Sequence, residues 1–188
     1  MASPSTAAKC YALLVGNARY DAGFESLPST HVDVARLKRT LEHERVGPYE
    51  VEVGLDLSRS EMMHAIERFL AARKPEDLAL LYISGHGDRL RTTTGEFYFI
   101  ASDTASTQEQ YEATAVSSSF VNQLLERCPA TQKVAILDSC YSGGFTVGFR
   151  TRESKAARPS GLSSPLTAQG VYVLASSTVA QPTVTAMV

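Results

Sequence analysis

Two reactive side chains, a histidine and a cysteine, each follow a short apolar segment of the chain. His86 lies between two glycines after segment 78–83, and Cys140 follows segment 133–137. Cysteine is a strong nucleophile only as the thiolate, and its ordinary pKa is about 8.5. A neighbouring imidazole can lower that pKa or accept the thiol proton during attack. We therefore interpret His86 and Cys140 as a general acid/base and a nucleophile.

The segments that carry these side chains are predicted to be buried strands. Segment 78–83 is uniformly apolar, which is typical of a parallel strand covered on both faces. The other predicted strands are 11–15, 49–55, 97–101, 133–137 and 171–175. In open α/β sheets, sites form at the carboxyl ends of strands. We therefore expect the turns that carry His86 and Cys140 to share one edge of the sheet.

Three helices are predicted between the strands. The first begins at Ser29 or Thr30 and is ended by Gly47 and Pro48. The second is capped by Ser58 or Ser60, and the third spans residues 117–127. From the helical spacing, the inward residues are Val32, Ala35, Leu37 and Leu41 in the first helix and Met63, Ile66, Phe69 and Leu70 in the second. The order of elements predicts an α/β domain of three layers, with a mostly parallel central sheet flanked by helices.

Composition narrows the class of protein. Lys and Arg total 18 against 20 Asp and Glu, and this balance disfavours a nucleic-acid binder. The sequence has no apolar run of membrane-spanning length, and residues 1–9 lack the basic start and apolar middle typical of a signal peptide. The three cysteines are too few for a disulfide framework. We expect a cytoplasmic protein without nucleic-acid or membrane partners and without an organic cofactor.

The motifs around the two reactive residues resemble those of the caspase–metacaspase superfamily of cysteine peptidases. They read Ser-Gly-His-Gly at 84–87 and Asp-Ser-Cys-Tyr-Ser-Gly-Gly at 138–144. His86 and Cys140 are 54 positions apart, and about 50 is typical of caspases. The resemblance implies a caspase-like fold over most of the chain and endopeptidase activity. In that activity the backbone N–H groups of Gly87 and Cys140 would bind the oxyanion.

The metacaspase side of the family is favoured by the residues around the predicted specificity pocket. By that resemblance Asp33, Ser84 and Asp138 line the pocket for the residue before the scissile bond. Two carboxylates in one concave site favour a cation. We therefore expect cleavage of protein or peptide substrates after Arg or Lys, and not after Asp.

Three further expectations concern organisation and regulation. Residues 1–8 are predicted to be a tail and 9–188 a peptidase domain from a longer chain with other domains. Loop 145–169 is a candidate self-processing linker, with candidate cleavage sites Arg150, Arg152, Lys155 and Arg158. Many metacaspases need calcium, but only Asp103 stands near the expected region, so we expect no metal site and no calcium requirement.

Other interpretations of the same residues stay open. The chain could be a catalytically silent caspase-like binding or scaffold module, or another thiol enzyme, although no C-x-x-C motif supports redox chemistry. Asp33 could act only on the helix dipole, and Asp138 could accept hydrogen bonds within its turn. The remaining cysteines are expected in the core and the remaining histidines in solvent; they are Cys10, Cys128, His31, His43 and His64.

Overall fold

The computed structural model of the chain describes residues 8–21, 23–89, 96–139 and 171–175. In chain order the elements are β1 (Cys10–Gly16), α1 (Pro28–Leu41), β2 (Glu50–Leu55), α2 (Arg59–Ala71), β3 (Leu78–Ser84), β4 (Gly87–Arg89), β5 (Phe97–Phe99), α3 (Gln108–Thr114), β6 (Val116–Ser117), α4 (Ser118–Arg127), β7 (Gln132–Asp138) and β8 (Val171–Ala175).

The larger sheet has five parallel strands in the order β2-β1-β3-β7-β8. Alternate residues of its central strands face opposite sides. Leu81 and Leu137 pack with α2 and α4 on one side, whereas Leu80 and Tyr82 pack with Val34 of α1 on the other. The sheet therefore lies between two helical layers, and the predicted α/β class with its mostly parallel sheet is confirmed.

The two edge strands of this sheet are less buried than their apolar sequences suggest. On β2, the side chains of Val53 and Leu55 are exposed. On β8, Val171 is buried, whereas Tyr172 and Leu174 are 59% and 56% exposed. The prediction of a core strand at 171–175 therefore holds for one of its faces.

Helix α1 has its cap two or three residues earlier than predicted and turns a different face inward. Pro28 occupies its first turn, where a missing N–H costs nothing, and the capping residue Leu27 offers no side-chain hydrogen bond. The predicted cap at Ser29 or Thr30 is therefore wrong. The buried residues are Thr30, Val34 and Leu41, whereas Val32 and Ala35 are exposed, and the helix ends before Gly47 and Pro48 are reached.

Helix α2 begins where its sequence indicates. The Ser58 hydroxyl accepts a hydrogen bond from the backbone of Glu61, whose carboxylate accepts one from the backbone of Ser58. This reciprocal pair satisfies two of the unpaired N–H groups at the helix start. Met62 is the buried methionine of the helix, and Met63, the predicted one, is only half-buried.

A second, smaller sheet lies beside the first. Strands β4, β5 and β6 pair antiparallel in that order, so segment 97–101 contributes to this sheet and not to the central one. The short helix α3 lies in a polar stretch for which no helix is predicted. Helix α4 follows it over the segment predicted to be the third helix, and Ser117 is its cap. Among the described residues, none of the helices has both the length and the apolar composition needed to cross a bilayer.

Candidate active site

The two strands that precede the predicted reactive residues are neighbours in the central sheet. Strands β3 and β7 are parallel, and their last residues, Ser84 and Asp138, are paired in register. The backbone N–H of Gly85 donates to the carbonyl of Asp138 across 3.3 Å. The strands thus end at one edge of the sheet, and His86 and Cys140 each come two positions after a paired residue.

Part of the predicted site lies outside the described residues. This applies to Cys140 and to the candidate self-cleavage sites Arg150, Arg152, Lys155 and Arg158. The described part of the predicted site consists of Asp33, Ser84, His86, Gly87 and Asp138. The thiol–imidazole pair and the Cys140 half of the oxyanion site therefore stay predictions.

The side chain of His86 is held by the segment between β1 and α1. Its Nε2 lies 2.8 Å from the backbone carbonyl oxygen of Glu25, which can only accept a hydrogen bond. The Nε2 therefore carries the proton, and Nδ1 of the neutral ring is left as the acceptor. The ring centroid of His86 lies 5.0 Å from that of Tyr20 and 6.0 Å from that of Phe24. These contacts fix the orientation of the imidazole ring, with Nε2 toward the Glu25 carbonyl.

Tyr20 also fixes the backbone of the histidine turn. Its hydroxyl accepts a hydrogen bond from the backbone N–H of His86 at 3.0 Å and donates to the carbonyl of Asn17 at 2.6 Å. Burial raises the pKa of Tyr20 to about 12. The phenol therefore stays neutral and keeps both of these hydrogen bonds near neutral pH.

The loop that carries Tyr20 is in turn tied to the end of β2 by Asp56. The carboxylate of Asp56 accepts hydrogen bonds from the backbone N–H groups of Ala18 and Arg19 and from the Arg19 side chain. It also lies 3.0 Å from Nε2 of His31. Burial alone would raise the pKa of Asp56, but these donors lower it to about 2. His31, predicted to be solvated, is instead half-buried beside this carboxylate.

The two glycines around His86 are required by close contacts within the protein. Gly85 has a φ of +149°, and a Cβ there would lie 2.9 Å from the Tyr20 hydroxyl and 3.0 Å from the Asn17 carbonyl oxygen. A Cβ on Gly87 would lie 2.4 Å from the ring of Phe97. These contacts show that the fold itself needs both glycines.

The backbone N–H of Gly87 stands outside the hydrogen-bond ladder of the smaller sheet. Gly87 is paired with Phe99, and the N–H of Ile100 donates to the His86 carbonyl at 3.0 Å. In an antiparallel ladder, this bond marks Gly87 and Phe99 as a non-hydrogen-bonded pair. The Gly87 N–H is therefore free of the ladder, as an oxyanion donor must be.

Two of the predicted pocket residues, Ser84 and Asp138, share a face of the sheet with a further residue, Tyr82. Its hydroxyl donates to Oδ2 of Asp138 across 3.4 Å. Burial raises the pKa of Tyr82, and the negative charges of Asp138 and Asp33 raise it further. Asp33 itself makes only a loose contact of 3.8 Å with the exposed side chain of Arg36. The structure thus places Ser84 and Asp138 on one face of the sheet with the buried Tyr82, and Asp33 on the helix that covers this face.

Asp103, the residue considered for calcium, has a structural partner. Its Oδ1 accepts a hydrogen bond from the backbone N–H of Arg59 at 2.7 Å, at the first residue of α2. Within the described ranges, no group of three His, Cys, Asp or Glu side chains is arranged to hold a metal ion.

Sequence reasoning missed four residues that shape this site: Tyr20, Glu25, Asp56 and Tyr82. Strand alternation could have indicated Tyr82, because it lies two positions before Ser84 and so faces the same side of the sheet. Glu25 acts through its backbone carbonyl, and no side-chain pattern marks such a contact. Tyr20 and Asp56 become important only through contacts that are distant in the sequence.

Comparison with known proteins identifies the family. The family model described as the caspase domain matches residues 9–185. The chain therefore belongs to the caspase-domain family, within the cysteine peptidase superfamily. This membership confirms the family resemblance seen in the two motifs.

A solved structure supports the fold independently. The crystal structure of protein GSU0716 from Geobacter sulfurreducens is similar to this chain, with a TM-score of 0.57 and 19% sequence identity. The match covers 70% of this chain and 50% of that one, so the chain spans about half the length of that protein. At this identity the likeness concerns the fold alone. No curated protein sequence matches the chain significantly.

Proposed function

We propose that the chain is a cysteine endopeptidase that cleaves after Arg or Lys, with Cys140 as nucleophile and His86 as general acid/base. The observation that carries this proposal is the pairing of Ser84 with Asp138 at the ends of neighbouring strands. It means that the His86 and Cys140 turns start side by side. Membership of the caspase-domain family supports a protein or peptide substrate.

The proton acceptor in the proposed reaction is Nδ1 of His86. As Cys140 Sγ attacks the carbonyl carbon of the scissile bond, its proton passes to Nδ1, while Nε2 keeps its bond to the Glu25 carbonyl. The tetrahedral intermediate collapses, the C–N bond breaks, and the leaving amine takes the proton from His86. Water then attacks the thioester and gives a proton to His86, which returns it to the departing thiolate, so that the carboxylic acid is released and the enzyme is restored.

The oxyanion of each tetrahedral intermediate is proposed to accept hydrogen bonds from the backbone N–H groups of Gly87 and Cys140. The position of Gly87 in a non-hydrogen-bonded pair supports this role. Loss of one such donor typically costs about 3 kcal/mol in the barrier.

Preference for a basic residue before the scissile bond is supported by two carboxylates, those of Asp33 and Asp138. The Asp138 side chain is exposed and the Asp33 side chain is 43% exposed, so both carboxylates are accessible to a substrate cation. A cationic side chain placed between them gains charge-assisted hydrogen bonds. An Asp side chain at the same place would be repelled.

Self-processing is a further part of the proposal. Segment 145–169, predicted from the sequence to be a loop, contains Arg150, Arg152, Lys155 and Arg158, the residue types that the pocket is expected to accept. Mass spectrometry of the purified wild type beside Cys140→Ala tests this step. We expect fragments that end at one of these residues in the wild type only, and identical intact masses would contradict it.

We place this activity in the cytoplasm. Cys10 and Cys128 are free thiols, and a thiol nucleophile must be kept reduced.

A positional-scanning peptide panel, run with and without calcium, tests the proposed activity. The wild type should cleave peptides with Arg or Lys before the scissile bond, and Cys140→Ala should cleave none while keeping its fold by circular dichroism. Preferred cleavage after Asp would contradict the assignment. Absence of turnover by the folded wild type, together with tight peptide binding, would instead favour the silent scaffold module.

A further inference from the structure

The buried phenol of Tyr82 donates a hydrogen bond to the carboxylate of Asp138, one of the two acidic residues of the predicted pocket. Tyr82 is only 6% exposed, whereas Asp138, which accepts its hydrogen bond, is exposed. Ser84, two positions further along β3, lies on the same face of the sheet. A buried neutral donor therefore lies beneath an exposed carboxylate.

The sheet geometry brings Asp33 to the same place. Because strand residues alternate between faces, Tyr82, Ser84 and Asp138 all face the side that α1 covers. Tyr82 packs in one cluster with Val34, the residue that follows Asp33. Asp33 therefore lies on the helix that covers the Tyr82 face of the sheet.

A donor in this position fixes the orientation of the Asp138 carboxylate. A surface carboxylate without such a partner turns freely about its terminal torsion. A guanidinium group forms two parallel hydrogen bonds with a carboxylate only when their planes match, whereas an ammonium group acts as a point charge and has no such requirement. Orientation of Asp138 therefore matters more for a substrate arginine than for a substrate lysine.

We propose that Tyr82 is a specificity-determining positioning residue, which holds the Asp138 carboxylate so that the pocket prefers Arg to Lys. This inference rests on the proposed function, since it concerns the same pocket. Tyr82 acts through Asp138 and takes no part in the bond-breaking steps.

The test compares two peptides that differ only in Arg or Lys at the cleaved position, hydrolysed by the wild type, Tyr82→Phe and Tyr49→Phe. Tyr49 packs at the margin of the core cluster that contains Tyr82. Tyr49→Phe is therefore the matched control, because it also removes one tyrosine hydroxyl. For Tyr82→Phe we expect kcat/KM to fall about tenfold on the Arg peptide, mainly through KM, and about twofold or less on the Lys peptide. Tyr49→Phe should keep the wild-type ratio.

The ratio of the two kcat/KM values separates specificity from folding. Both peptides meet the same enzyme molecules, so partial unfolding lowers both rates equally and leaves the ratio unchanged. An unchanged ratio in Tyr82→Phe, with a wild type that cleaves the Arg peptide, would overturn the role of Tyr82 and leave the proposed function standing. A wild type that cleaves neither peptide would overturn both.

Discussion

Nε2 of His86 donates a hydrogen bond to the backbone carbonyl of Glu25 across 2.8 Å. The acceptor is a main-chain atom, so its position depends on how the segment before α1 is held. That segment is fixed by the hydrogen bond from the Leu27 N–H to the Ala18 carbonyl, by the Tyr20 hydroxyl and by the Asp56 carboxylate. Substitutions at Tyr20 and Asp56 should therefore change the histidine indirectly.

Tyr20→Phe should weaken both the fold and the activity. The ring contact with His86 remains, but the His86 N–H and the Asn17 carbonyl lose their shared partner. A buried polar group left unpaired costs roughly 1–3 kcal/mol, which urea unfolding can measure beside kcat. Tyr172→Phe, on an exposed side chain of β8, should leave both quantities unchanged. Equal stability and kcat in Tyr20→Phe and the wild type would contradict this role.

Gly87→Ala should destabilise the protein because the added methyl group would lie 2.4 Å from the ring of Phe97. Overpacking of this kind costs typically about 1–3 kcal/mol in the free energy of unfolding. The double variant Gly87→Ala with Phe97→Leu has more room beside the new methyl group. A double-mutant cycle should then give a favourable coupling energy between the two changes. Strict additivity would show that the contact with Phe97 is not the cause.

Asp56 should contribute stability above about pH 4 that is lost as the pH falls toward 2. The pKa of Asp56 is lowered in the folded protein to about 2, from 3.8 in the unfolded chain. Protonation therefore favours the unfolded state across this interval. Urea unfolding of the wild type and Asp56→Asn from pH 6 to pH 2 gives the free energy of unfolding at each pH. The values for the two proteins should converge at acid pH.

Asp21→Asn serves as the control for this series, because Asp21 is an exposed aspartate in the same loop. Its curve should run with that of the wild type. A constant gap between Asp56→Asn and the wild type down to pH 2 would contradict the role given to the Asp56 carboxylate.

Peptide hydrolysis should be insensitive to a calcium chelator. The carboxylate of Asp103 already accepts the backbone N–H that begins α2, and in the described part of the chain no three His, Cys, Asp or Glu side chains are grouped to hold a metal ion. Initial rates measured with EGTA and with added calcium should agree. Activity that disappears with the chelator and returns with calcium would contradict this expectation.

The strands of the central sheet were predictable because their residues carry strong local signals. Segment 78–83 is uniformly apolar, and it forms the central strand β3, buried on both faces. Ser58 and Glu61 have the spacing of a capping box, and α2 begins there. The pairing of Ser84 with Asp138 then follows, since both residues end neighbouring parallel strands.

The remaining features depend on contacts that local sequence does not determine. The inward face of α1 is set by how the helix packs on β1 and β3, so Val34 is buried and the equally apolar Val32 is exposed. The smaller sheet needs pairing between segments whose strands are only two or three residues long. The position of Tyr82 in an apolar strand predicts only a core residue. Its proposed role in positioning Asp138 depends on the hydrogen bond from its hydroxyl, which the sequence does not indicate.

The most direct test of the central claim is covalent labelling by a peptidyl acyloxymethyl ketone that ends in Arg, followed by peptide mapping. We expect one label, on Cys140, formed at least about a hundredfold more slowly in His86→Ala. The matched reagent that ends in Asp should not label the protein. Labelling of Cys10 or Cys128 in place of Cys140, an unchanged rate in His86→Ala, or faster reaction with the Asp reagent would contradict the account.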